Sequence, residues 1–170
     1  MVHYLSISRA EADSITEPVT PAEVKAYLHI DFTDDDDVLA NMIKSARQAL
    51  EEKRGICLVE TAVQMVVETT MASDRIQLAY GIPETVAVVD EDEEALVADD
   101  DYKHRSNILS LSNYGLHTIS YTVVPEVNEA MKEAIMLEVK ERYETKDSNS
   151  PASNGVSEAA LSKIQPSSWL

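Results

Sequence analysis

Apolar residues recur at helical spacing from Val38 to Leu50. Val38, Leu39, Met42, Ile43, Ala46, Ala49 and Leu50 form one stripe, and Asn41, Lys44, Ser45, Gln48, Glu51 and Glu52 form the opposite face. Lys53 and Arg54 complement the negative end of the helix dipole, and Gly55 suits the position just beyond it. A helix is therefore predicted over residues 36–53. Ahead of it, Thr20 and Glu23 spell a capping box with Pro21 at the first helical position. Val19 and Val24 flank the box as a hydrophobic staple, and Val24, Tyr27 and Leu28 give one apolar face to a short helix over 21–29. The joining stretch, residues 31–37, is loaded with aspartate. A calcium loop beginning at Asp31 needs glycine at its sixth position and glutamate at its twelfth, where this chain has Asp36 and Met42. The aspartates are read instead as helix electrostatics: Thr33 or Asp34 caps the second helix and the others face its positive end.

From Leu58 the period shortens to two. Strands are predicted over 58–69, 76–80, 85–89, 107–112 and 117–124, with turns at 81–83 and 113–115. The run Asp90, Glu91, Asp92, Glu93, Glu94 is too charged to bury and reads as an exposed turn, and Asp99, Asp100 and Asp101 precede the next segment. Residues 58–124 thus make a small antiparallel β unit of about five or six strands. Helical spacing returns after Pro125, with Val127, Ala130, Met131, Ala134, Ile135, Val139 and Tyr143 in line, predicting a helix over 125–144. A polar linker follows at 146–155. A short helix then carries Val156, Ala160, Leu161 and Ile164 on one side and stops at Pro166. Residues 1–16 contain one short apolar pattern, Tyr4-Leu5-Ser6-Ile7, an edge strand or a loose arm. The fold class is α+β: a bundle of about four helices with an inserted antiparallel β unit. Its parts are an arm (1–16), a main domain (17–145), a linker (146–155) and a C-terminal helix and tail (156–170).

Charge alters this picture most. The net charge is -17, with 31 acidic against 14 basic residues. That opposes tight binding to nucleic acid and to anionic membranes, both of which reward Lys and Arg. The acid either keeps the protein soluble or faces something: a basic partner, or DNA that must pass without sticking. A chain of 170 residues can bury a core without disulfides or a structural metal. Its single cysteine, Cys57, reads as a small core residue. The N-terminal stretch lacks the basic and apolar regions of a secretory signal, and no apolar run reaches membrane-spanning length, so a soluble protein made in the cytoplasm is expected.

The search for chemistry returns little. No glycine-rich phosphate loop, nucleophile elbow, zinc-binding helix or paired-cysteine motif is present. His3, His29, His104 and His117 lack metal-ligand spacing, and His104 and His117 read as surface residues. Carboxylates are so frequent that pairs of them carry no acid–base signal. The clusters at 90–94 and 99–101 read as solvated loops ahead of weak cation sites. No enzyme activity and no cofactor are expected.

The order of the parts is more informative. Glu17, Pro18, Val19, Thr20, Glu23, Lys25, Leu28, Ile30 and Asp31 lead through the acidic turn to Leu39, Ile43, Ala46, Arg47, Leu50, Glu51, Gly55 and Leu58. Later, a strand carrying Tyr121 leads to Pro125, which opens a long helix that ends near Tyr143 and Glu144. This ordered set resembles the head–tail connector (adaptor, head-completion) proteins of tailed bacteriophages over roughly residues 15–165. The chain departs from that pattern in lacking a glycine after Tyr121 and in its very acidic middle.

The resemblance implies a structural protein that forms a dodecameric ring beneath the capsid portal, lengthens the DNA channel and carries the next neck or tail protein. It places the protein in the virion neck, after assembly in the host cytoplasm. By the same analogy the C-terminal segment reaches the portal, with Ile164, Trp169 and Leu170 as contacts; Trp169 could equally cover its own subunit's core. Asp90, Glu91, Asp92, Glu93, Glu94, Asp99, Asp100 and Asp101 are candidates to line the channel, where carboxylates would let DNA slide without specific binding. Two other readings stand beside this one. The acidic face could mimic DNA and sequester a basic partner, or the aspartate clusters could serve a small metal-dependent enzyme, for which no ligand geometry is visible.

Overall fold

The computed structural model describes residues 1–12, 15–71, 74–145 and 158–163. The protein is mixed α+β and divides into two compact units. Among the described residues, one unit takes 16–58, 126–145 and 158–163 and is helical; the other takes 1–12, 15, 59–71 and 74–125 and holds the strands.

The helical unit begins with α1, Pro21–Leu28. The capping box forms as the sequence predicts: the Glu23 amide donates to the Thr20 hydroxyl at 3.2 Å, and the Thr20 amide donates to the Glu23 carboxylate at 2.7 Å. The Thr20 amide, and the Thr20 hydroxyl at 2.8 Å, both donate to the Glu23 carboxylate and hold its pKa below the ordinary value. Val19 and Val24, the staple pair, are both buried. Helix α2 spans Asp36–Arg54 and ends on Gly55, whose φ of 64° is the left-handed conformation that glycine adopts most readily. Its N-cap is Asp35 and not Thr33 or Asp34, and no side chain caps it; the Asp36 amide donates to the Thr33 carbonyl at 3.1 Å. The aspartates hold neighbouring elements instead. Asp36 pairs with Lys25 of α1 at 2.7 Å, and Asp35 accepts from the Tyr143 hydroxyl at 2.7 Å.

Helix α3 covers Glu129–Thr145, so it starts later than Pro125 would set it. Asn128 explains the delay: its side chain accepts from the Met131 amide at 3.0 Å and satisfies one of the orphan donors of the first turn. Helix α4 covers Glu158–Lys163. Leu39, Ile43, Ala46 and Leu50 of α2 share one buried cluster with Ala134, Ile135 and Val139 of α3 and with Ala160 and Leu161 of α4. Val38, expected in the stripe, is exposed, and Met42 is only partly buried.

Among the described residues, 58–124 hold six strands, within the five or six expected, and a seventh comes from residues 1–16, where the edge-strand reading holds. Strand β1, Val2–Glu11, pairs along its length with β2, Thr61–Thr69, through an irregularity between Tyr4 and Ser6. With β7, Gly115–Val123, and β4, Pro83–Val89, they form an antiparallel sheet ordered β1-β2-β7-β4. Alternate residues Val63, Met65 and Val67 of β2 and Ile119, Tyr121 and Val123 of β7 are buried, which is the period-2 pattern of a half-covered sheet. A second sheet runs β3-β6-β5, from Arg75–Gln77, Ile108–Leu111 and Tyr102–Arg105. Because β1 comes from the start of the chain, the β unit is not a single insertion between helices. Among the described residues no helix is long and apolar enough to cross a membrane.

Candidate functional site

The two acidic clusters are ordered turns at the ends of strands. After β4, the Asp90 carboxylate accepts from the amides of Asp92 at 3.0 Å and Glu94 at 2.9 Å, closing the turn on itself. Glu93 takes a φ of 62° inside it. The returning chain donates from the Leu96 amide to the Val88 carbonyl at 2.9 Å, which covers part of the outer edge of β4. Ahead of β5, the Asp101 carboxylate accepts from the Val97 amide at 2.8 Å. The Ser112 amide donates to the Asp101 carbonyl at 2.7 Å, and Asp99 has a φ of 70°. Asp90 and Asp101 are thus turn-forming residues, each half-buried. Glu91, Asp92, Glu93, Glu94, Asp99 and Asp100 are exposed. Among the described residues no group of His, Cys, Asp and Glu could hold a metal ion. The predicted portal contacts Ile164, Trp169 and Leu170 lie outside the described residues, as does the linker 146–155.

His117 is buried, not a surface residue as its polar character suggested, because β7 turns it to the covered face of the sheet. Burial pushes its pKa below the ordinary 6.5; the Gly115 carbonyl and the charges of Asp90 and Glu91 pull the other way and do not prevail. The folded state therefore disfavours the imidazolium relative to the unfolded chain. His117 contributes its full stability above the unfolded value, and that contribution is lost as pH falls through it towards the lowered folded value. Urea unfolding of the β unit at pH 7.5 and 5.5 should show a lower midpoint at 5.5, and His117→Gln should flatten that difference. An equal slope in the variant would remove His117 from the account.

Two further groups of residues were missed from sequence. The first is a buried ion network in the helical unit. Arg47 is fully buried and its guanidinium forks onto Glu17, with Nε at 2.8 Å and Nη2 at 3.1 Å from the two carboxylate oxygens. Its Nη1 lies 2.9 Å from Glu51, whose other oxygen accepts from the Leu58 amide at 2.7 Å. Glu51, assigned to the wet face of α2 by periodicity, is therefore buried because it secures the chain leaving that helix.

The second group is a cationic face. In the β3-β6-β5 sheet, Arg75 and Lys103 stand opposite Ser110 from either side, and Gln77 and Arg105 stand opposite Ile108. Residues opposite one another share a face. Arg75, Gln77, Lys103, Arg105 and Ile108 are exposed, whereas the alternate residues Ile76, Leu109 and Tyr102 are buried. No acid stands at these strand positions, and Arg75, Lys103 and Arg105 make no ion pair among the described residues. The sequence signal was the alternation Tyr102-Lys103-His104-Arg105, obscured by the aspartates just before it.

None of these arrangements joins a nucleophile, a base and an oxyanion site. The acidic turns and the cationic face offer surface of fixed charge. Comparison with known proteins identifies the family. Residues 20–164 match the family described as phage gp6-like head-tail connector protein. The chain belongs to this family. The connector family is structural, and its members are not enzymes. The connector fold is also shared with solved structures. A chain from the neck of the empty GTA particle computed with C6 symmetry superposes with a TM-score of 0.68 at 14% identity, covering 93% of this chain and 95% of that one. A chain from the virion of the native gene transfer agent (GTA) particle gives 0.68 at 17% identity, covering 91% and 93%. A chain from the neck of the native GTA particle computed with C12 symmetry gives 0.66 at 17%, covering 93% and 95%. No curated protein sequence matches the connector.

Proposed function

We propose that this connector assembles into a closed ring of twelve beneath the portal of a phage-like capsid, where it lengthens the DNA channel and provides the platform for the next neck or tail protein. The observation that carries the reading is the fold likeness over nearly the whole chain to a chain of a neck computed with C12 symmetry. Heterologous contacts repeated around an axis close such a ring. The charge of -17 supports passage of DNA without specific binding, since the subunit as a whole repels the phosphate backbone. The C-terminal segment with Ile164, Trp169 and Leu170 is proposed to meet the portal. The assembled site is the virion neck, reached from the host cytoplasm.

The test is the mass of the protein in solution, followed by electron microscopy alone and on purified portal rings. A ring is expected on the portal whether or not it forms in isolation. Persistent monomers on the portal would exclude the reading. The exposed carboxylates at 91–94 also favour a second reading, a DNA mimic. Competition with DNA for a basic DNA-binding protein in a gel-shift assay would support it, and ring formation would count against it.

A further inference from the structure

We propose that the cationic face of the three-stranded sheet, centred on Arg75, Lys103 and Arg105, docks the acidic 90–94 turn of a neighbouring copy of this chain, and that this is a head-to-tail contact of the ring. The inference rests on the ring reading above. In a chain of net charge -17, two copies repel unless their contact surfaces compensate. The lysines and arginines of the β unit are Arg9, Arg75, Lys103 and Arg105. Three of these four share one exposed sheet face, with Ser110 between Arg75 and Lys103 and the exposed Ile108 beside Arg105.

That face is rigid, because its strands are paired and the Leu78 amide beside β3 donates to the Asn107 carbonyl at 2.8 Å. The 90–94 turn is equally fixed by the Asp90 carboxylate and presents exposed carboxylates in succession. The backbone of neither partner needs ordering on contact, so the entropic cost is confined to the side chains. The turn leaves the four-stranded sheet and the cations stand on the other sheet, so one subunit carries both halves of the contact on separate elements. A contact between unlike patches is heterologous, the type that closes rings.

Duplex DNA is the competing occupant of the cationic face. It is disfavoured because the same unit carries the 90–94 and 99–101 carboxylates, which repel phosphate over a Debye length. The 90–94 turn is thereby assigned to the subunit contact in place of the channel wall.

Charge exchange tests this. Lys103→Glu with Arg105→Glu, and separately Glu91→Lys with Asp92→Lys, should each weaken subunit association by about a hundredfold or more at low salt, since like charges then face each other. Both variants should keep the wild-type circular dichroism and melting temperature, as all four side chains are exposed. Mixed in equal amounts, the two variants should restore rings of alternating copies, alone or on the portal, because each reversed patch then meets its complement. Rings from either variant as abundant as wild type would overturn the proposal, as would failure of the folded mixture to assemble. Loss of duplex DNA binding with rings intact would overturn it in favour of DNA. A wild-type protein that makes no ring even on portal would overturn the ring reading itself, and this contact with it.

Discussion

Arg47→Ala should destabilise the helical unit by about 3–5 kcal/mol, because it leaves a buried carboxylate without its counter-charge. Arg47 is fully buried and Glu51 is 2% exposed. The attraction in the pair offsets a desolvation cost already incurred by both groups, so deleting one partner exposes the cost of the other. Against a typical total stability of about 5–15 kcal/mol, this is a large fraction. Thermal unfolding followed by circular dichroism should fall by about 10 °C. Arg47→Lys should recover only part of the loss. A single ammonium cannot fork onto Glu17 while also reaching Glu51. Glu17→Gln should be the mildest change: the Glu17 side chain is 25% exposed, and an amide retains hydrogen bonding to the guanidinium. The order Arg47→Ala, Arg47→Lys, Glu17→Gln is the readout. A Glu17→Gln loss as large as that of Arg47→Ala would shift the burden of the network to Glu17.

This network marks where the sequence stopped being legible. Capping and stripe positions act through local backbone geometry, so Thr20, Glu23, Gly55 and the face with Leu39, Ile43 and Leu50 could be read directly. Glu51 could not, because periodicity places it opposite that face and only a distant partner explains its burial. Its signals were the spacing of Arg47 to Glu51 and the presence of Glu17 in the connector pattern. Those residues mattered in the resemblance, although their charge could be assigned to no contact. The late start of α3 has the same character: Pro125 is a sound first helical residue, but Asn128 offers a side-chain acceptor and caps the helix. In the β unit, short strands such as β5 fell below the length at which alternation stands out. The cationic face needed the pairing register, because Arg75 and Lys103 meet across Ser110 from distant parts of the chain.

The turn between the two sheets supports the second large effect. Tyr80 and Gly81 link β3 to β4 with φ of 67° and 149°. The Tyr121 hydroxyl donates to the Ala79 carbonyl at 3.0 Å, and the Arg9 guanidinium lies 5.2 Å from the centre of the Tyr80 ring. These contacts hold the turn in place, so it cannot move away from an added methyl group. A Cβ at Gly81 would lie 2.8 Å from Cγ1 of Val123. Val123 is buried and β-branched, with little freedom to rotate aside. Gly81→Ala therefore combines a backbone conformation that costs a side chain about 1–3 kcal/mol with overpacking of about 1–3 kcal/mol. We expect the β unit to lose about 3 kcal/mol or more in urea unfolding. Val123→Ala separates the two causes. In the double variant the clash is relieved and the backbone cost remains, so the pair should be less damaging than the sum of the single changes by about 1 kcal/mol or more. Strict additivity would mean that the close approach of Gly81 to Val123 contributes nothing and that the cost lies wholly in the backbone.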